Sequence, residues 1–334
     1  MEGLRAVLGR LLRALAGLFF LGAAAVAAAA PSAAPPEPPP CRGPALPLER
    51  LAPGLWWLPA APGDADAVNG GRVSNLVVAR HGGRVWVLGS GPTPAAGRAL
   101  ACEVRRRWHT AVTDVISPWP RPELVLGAAG LSPARHWAHA EVAEAMRQRC
   151  AGCVERLRAR LGAAGDELDG AAVQWPTHLL HGESGRLGPW HWWRLSRGNG
   201  HPVTVWQFGT VALRMAPGLL WAPGAPDGRD ADLRVLARST AALEALPGAK
   251  DTAAGNRLRW LGEQGPPSTG LPAHHRRYWD GLQQAVDAAQ AAGALESAPA
   301  PGVADVPADD PRHALNWQRA WRQREDEEFQ RSLR

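Results

Sequence analysis

Cys150 and Cys153 lie three apart in the run RQRCAGCVER, with Arg147, Arg149 and Arg156 beside them. Guanidinium groups near a thiol favour its thiolate, so this C-x-x-C is a candidate for thiol-redox chemistry. No histidine follows Cys153, which excludes covalent haem attachment. In an oxidising compartment the ordinary role of such a pair is a structural disulfide. Cys41 and Cys102 offer a second bond, and because four cysteines allow three pairings, spacing alone leaves the connectivity open. Histidine spacing suggests other chemistry: His136 and His139 are three apart at an expected helix start, and His178, His181 and His191 lie in the strand-like THLLHGESGRLGPWHWW. Neither group has acids or thiolates placed to complete a metal site. His274 and His275 precede a helix and read as solvated. Ser184, in HGESGRLG, lacks the strand-to-helix context of a nucleophile elbow.

These residues belong to a chain of 334 residues, 46% hydrophobic and 20% charged, which is ordinary globular usage. The formal net charge is +6, and Lys250 is the only lysine. No basic block with interleaved aromatics marks a nucleic-acid groove, so nucleic acid is not an expected partner. Arg5, Arg10 and Arg13 precede an apolar run from Leu15 to Val26, and small residues follow at Ala27 to Ala30. That order is a secretory signal peptide, read over 1–29, and it makes the protein periplasmic, soluble and not membrane-spanning once the leader is cleaved. A proline-rich linker follows over 30–47, and a single folded domain is expected over 48–334.

Within that domain, short strand-like and helix-like segments alternate. Leu55 to Pro59, Val73 to Ala79 and Arg84 to Leu88 read as a meander turning at His81, Gly82 and Gly83. Helices are expected over 94–107 and 141–161, the second with Val142, Met146, Cys150, Val154, Leu157 and Leu161 on one face. A strand over 112–116 falls between them. Strands return over 190–196, 203–206, 211–215, 219–222 and 257–261, and helices over 231–246, 274–292 and 311–333. Two strand groups, each followed by helices, suggest two sheets packed face to face with helices outside.

The segment TDVISPWPRPELVLGAAGL, 113–131, resembles the metal loop of the metallo-β-lactamase superfamily, in which H-x-H-x-D-H follows a strand. Position by position, Trp119 and Arg121 stand at the first two histidines, Glu123 at the aspartate and Leu124 at the last histidine. VWVLGSGPT, 85–93, is similar to the strand and D-T-G-x-S turn, with Gly89 at the aspartate. WQFGTVALRMAPGLLWAPGA, 206–225, is similar to the H-T-x-G-D strand pair, with Trp206 at the histidine, Thr210 at the neighbouring acid and Gly224 at the bridging aspartate. WLGEQGPPS, 260–268, resembles the closing P-G-H-G-P turn, with Gln264 at its histidine. NGGRVSNL (69–76), the CAGC helix and HALNWQRAW (313–321) resemble the secreted zinc hydrolase-like branch linked to quinoprotein dehydrogenase systems.

The resemblance implies an α/β fold: a four-layer αββα sandwich with an extra C-terminal helix. It implies a dinuclear zinc hydrolase, yet tryptophan, arginine, leucine, glycine and glutamine are not zinc ligands. Arg121 adds a permanent charge where a cation belongs. The expectation is loss of zinc and of hydrolysis, with no cofactor and no catalytic residue. With about four inserted residues, His201 could replace Trp206 in the match. The resemblance brings Trp119, Arg121, Glu123, Trp206 and Gln264 into one cleft, suited to a small anionic or aromatic ligand or a periplasmic protein partner. Equally, Arg121 and Glu123 pair and the tryptophans fill space. A hydrolase with a remodelled site and a thiol-redox protein using Cys150 and Cys153 remain as alternatives.

Overall fold

The computed structural model describes residues 41, 43–170, 173–222, 224–247 and 257–334. The expected leader and most of the linker lie outside the described residues. Cys41–Arg334 forms one compact unit. No described helix is long and apolar enough to cross a membrane.

Hydrophobic alternation builds two sheets. The first has seven strands in the order β1 (Glu49–Ala52), β2 (Leu55–Leu58), β3 (Leu76–His81), β4 (Arg84–Leu88), β5 (Asp114–Ile116), β6 (Arg135–His139) and β7 (His178–Leu180). β1 to β4 are an antiparallel meander, and β4 to β7 run parallel. The hairpin between β3 and β4 turns at Gly82 and Gly83, both at positive φ (55° and 74°), a conformation glycine adopts without a Cβ penalty. The second sheet contains β8 (Ser184–Leu187), β9 (Trp190–Ser196), β10 (Pro202–Phe208), β11 (Leu213–Met215) and β12 (Arg259–Leu261). Its strands are antiparallel except for the parallel pair β11 and β12.

One core cluster draws on both sheets: Trp57, Val77, Trp86 and Ile116 from the first meet Trp190, Trp206 and Phe208 from the second. Their sequence neighbours on the same strands, such as Val78, Val87, Val115 and Val205, belong to the other cluster, with residues of the helices. Period-two side chains thus serve two layers at once. The helices are α1 (Pro94–Trp108), α2 (Pro122–Val125), α3 (Ala140–Leu161), α4 (Leu233–Ala242), α5 (Leu271–Ala291) and α6 (Pro311–Ser332). This is the expected α/β sandwich of two sheets and flanking helices.

Local differences have local causes. The strand expected over 219–222 is a turn and loop, because Pro217 and Gly218 (φ +81°) reverse the chain after β11. His136 lies within β6, whereas His139 ends that strand and, as expected, starts a helix: it is the N-cap of α3, accepting from the Glu141 N–H. His275 is fully buried, not solvated: its Nδ1 donates to Leu271 O at 2.8 Å and its Nε2 accepts from Trp221 N at 3.0 Å. Burial pushes its pKa down to about 3. The segment before β1 is fastened to α1: Leu46 N donates to Glu103, and Arg106 donates to Gly43 O and Pro44 O.

Candidate ligand cavity

Loops at the ends of β5, β11 and β12 converge with α3, a helix that packs against β6 and β7 of one sheet and β10 of the other. Between them lies a cavity of about 630 Å³. Arg121 forms its floor. Its Nε lies 3.2 Å from Glu123 and 3.4 Å from Glu263, and its Nη1 lies 3.3 Å from Asp227. All four side chains are at least nine-tenths buried. Burial alone would lower the Arg121 pKa, but the charges of Glu123, Glu263 and Asp227 reverse that and hold it above the usual arginine range. Burial likewise works against ionised Asp227, yet Arg121 and Arg229 hold its carboxyl well below the usual range.

Glu263 is tied on every side. It accepts from Ser74 Oγ, from Trp119 Nε1 at 3.0 Å and from Gly218 N at 2.9 Å. Burial nevertheless raises its pKa. A second buried guanidinium, Arg197, donates to the carbonyls of Gly218, Asp227 and Arg229 and stacks 4.7 Å from the Trp119 ring centroid and 5.3 Å from that of Trp221. Burial lowers its pKa to about 10, so it stays charged at neutral pH. Arg121, Arg197 and Arg229 therefore face Glu123, Asp227 and Glu263 in one hydrogen-bonded lattice.

The structure brings together three of the five residues expected in this cleft: Trp119, Arg121 and Glu123. Two are elsewhere. Trp206 packs between the sheets against Trp190 and donates to Thr204, because its side chain takes the inter-sheet face of β10. Gln264 turns away and braces loops, donating to Gly63 O and Val73 O and accepting from Arg312. Its neighbour Glu263, in the same bend after β12, points inward instead, to Ser74, Trp119 and Gly218. Arg197 makes the closer stack on Trp119, at 4.7 Å against 5.7 Å for Arg121. Leu124 fills the space beside Gly89, where an added Cβ would come within 2.6 Å of Leu124 Cδ2. Asp227, Glu263 and Arg197 are absent from the expected set, although a buried Arg121 demands carboxylates and these are the acids closest to the last two motifs.

The opposite wall is the face of α3 carrying Arg149, Cys153, Arg156, Leu157 and Arg160, with His201 and Asp230 at the rim. Arg149 meets His201 Nε2 and donates to Asn199 O at 2.7 Å, and Arg156 donates to Cys153 Sγ at 3.2 Å. Among the described residues, no carboxylate lies within ion-pair distance of Arg149, Arg156 or Arg160. On the outer face of the same helix, Arg147 pairs with Glu144 and Arg158 with Asp169. Burial, then Arg149 and Arg197, push the His201 pKa down to about 4.

All four cysteines are thiols in the structure. Arg105 Nη2 contacts both Cys41 Sγ and Cys102 Sγ, at 3.3 and 3.2 Å. At the cavity, neighbouring Cys150 and Arg156 lower the Cys153 pKa, whereas Cys153 and burial raise that of Cys150.

No family model matches the sequence, and no curated protein matches it either. Solved structures do. The metallo-β-lactamase FIM-1 from Pseudomonas aeruginosa in its mono-zinc form aligns at TM-score 0.54 and 11% identity, over 71% of this chain and 95% of that one. A metallo-β-lactamase from Hirschia baltica aligns at 0.53 and 11%, over 71% and 98%. One from Erythrobacter litoralis, with β-mercaptoethanol in its active site, aligns at 0.52 and 12%, over 69% and 93%. The fold is that of the metallo-β-lactamases.

Zinc in a metallo-β-lactamase fold needs imidazoles and carboxylates converging on a cation. Here three carboxylates converge on a guanidinium of the protein's own, and the matched histidine positions Trp119 and Leu124 are occupied by buried apolar side chains. Among the described residues, no group of three or more His, Cys, Asp or Glu is arranged to hold a metal. His201 is a single imidazole committed to Arg149. The residues present do not fit a zinc pair.

Proposed function

We propose that this is a non-hydrolytic binding protein built on the metallo-β-lactamase fold, taking a small anionic ligand between the Arg121 floor and the α3 wall. One observation carries the reading. Five guanidinium groups line the cavity against three carboxylates, and the surplus is concentrated in Arg149, Arg156 and Arg160, which have no acid partner among the described residues. Unpaired cations facing a concave site raise the local concentration of anions. Planar donors also suit carboxylate, sulfate or phosphate oxygens in bidentate geometry. Arg121 is already satisfied, so it orders the floor and the wall supplies recognition.

The leader-like N-terminal sequence supports export to the periplasm. The motif resemblance supports an accessory role beside quinoprotein dehydrogenases. The test combines metal analysis with calorimetry. Protein purified in zinc-containing buffer carries less than one zinc per chain, and it binds citrate or sulfate with an affinity that falls about tenfold or more in Arg149→Gln/Arg156→Gln/Arg160→Gln. Stoichiometric zinc, or anion affinity untouched by the triple substitution, overturns the reading.

A further inference from the structure

The cavity wall holds a nucleophile that anion binding leaves unused. Cys153 lines the cavity with Arg149 and Arg156, accepts from Arg156 Nη2 at 3.2 Å and lies one helical turn from Cys150. We infer that Cys153 is the attacking thiolate, and Cys150 the resolving thiol, of a thiol–disulfide exchange with anionic low-molecular-weight disulfides held by Arg149, Arg156 and Arg160.

The placement separates the two roles. Cys153 is 8% exposed and opens on the cavity, whereas Cys150 is fully buried behind it. A thiolate is the reactive form, and its rate depends on a nearby positive charge and on access. Arg156 supplies the charge and the cavity supplies the access. The groups facing Cys153 are Cys150, Arg156 and Glu123; Cys150 and the guanidinium favour the thiolate, while burial and the carboxylate oppose it. The other pair, Cys41 and Cys102, also touches an arginine but lines no part of this cavity.

The chemistry balances without a cofactor. Cys153 sulfur attacks one sulfur of R–S–S–R, forming a Cys153–S–S–R bond and releasing one thiolate. Cys150 then displaces the second R–S group and closes the Cys150–Cys153 bond. The two protein thiols are oxidised, the external disulfide is reduced to two thiols, and the two protein protons end on the leaving groups. This step rests on the anion-binding reading for its specificity.

Oxidised glutathione, an anionic disulfide, and cystamine, a cationic one, are the probes. In a Cys41→Ser/Cys102→Ser background at pH 7, oxidised glutathione added to the Cys150→Ser protein traps a mixed disulfide on Cys153, read by peptide mass spectrometry. The Cys153→Ser protein stays unmodified at Cys150. With both cysteines present, the product is the Cys150–Cys153 disulfide and free glutathione. Oxidised glutathione reacts about tenfold or more faster than cystamine, and Arg149→Gln/Arg160→Gln removes that difference. Should a variant fail to fold, the unmodified chain still answers: Cys153 alkylation by iodoacetamide reaches half its maximal rate at a lower pH than an ordinary thiol does. An unreactive Cys153, preferential modification of Cys150, or equal rates for the two disulfides overturns the inference. Calorimetric citrate binding with an inert Cys153 overturns the thiol chemistry alone; absence of both removes the anion-binding reading as well.

Discussion

The floor and the wall of the cavity are both rich in arginine, and they use it in opposite ways. On the floor, Arg121 is buried and meets three carboxylates within 3.4 Å. Desolvating a guanidinium costs far more than one surface ion pair returns, so burial is tolerated only because charge and hydrogen bonding are both satisfied. On the wall, Arg156 and Arg160 are exposed and Arg149 is half-buried, all without acid partners among the described residues. The partners that Arg149 and Arg156 do have, His201, Asn199 O and Cys153, leave their charge uncompensated and available to a ligand. A balanced set holds structure; an unbalanced set recruits. The contrast continues within α3, whose outer arginines are paired and whose cavity-facing ones are not.

The largest test of this contrast is Arg121→Leu, which strands three buried carboxylates. It should destabilise the protein by about 3–5 kcal/mol in chemical denaturation. Replacing Glu123 by leucine in the same chain should cost less than the sum of the single changes, with a coupling of about 0.5–3 kcal/mol. Zero coupling would show that Arg121 and Glu123 do not act as one unit, and the floor would lose its distinction from the wall.

A smaller effect reports the wall's field. His201 is neutral in the fold, its pKa lowered from 6.5 to about 4 by burial and then by Arg149 and Arg197. The unfolded chain binds the proton more readily, so the stability this group contributes is present above about pH 6.5. It is lost as pH falls from there towards about 4. Arg149→Gln should raise the His201 pKa by about one unit, followed by NMR titration of the ring protons. A bound anion should move it in the same direction. An unchanged titration would mean that burial alone sets it and that the wall carries no effective surplus charge.

The smallest expected effect is on stability at the wall itself. Arg156→Gln and Arg160→Gln should each shift the unfolding free energy by less than about 0.5 kcal/mol, because they break no ion pair. A loss above 1 kcal/mol would make the wall structural and erase the contrast with the floor.

Much of the architecture was legible because it is periodic. The meander β2 to β4, the strand β9 and the long helices announce themselves through alternation at two residues or recurrence at three and four. In α3, Val142, Met146, Cys150, Leu157 and Leu161 are buried as their spacing requires. Trp119, Arg121 and Glu123 could be placed together because they lie within one short turn after β5. His275 was misjudged because its polar partners, Leu271 O and Trp221 N, are backbone groups that no residue type announces.

What the sequence by itself determined is the order of elements, their amphipathic faces and the presence of an arginine in the turn after β5. Only the tertiary structure decided what that arginine touches. Asp227 lies 106 residues from Arg121 along the chain and reaches it through the loop after β11. Glu263, and not Gln264, turns inward because the bend after β12 carries it towards Ser74, Trp119 and Gly218 while Gln264 meets Gly63, Val73 and Arg312. Trp206 belongs to the core because its position on β10 selects the inter-sheet face. Periodicity is a local property that residue types carry within one element, whereas a buried charge is satisfied by whichever opposite charges the loops of other elements deliver to it.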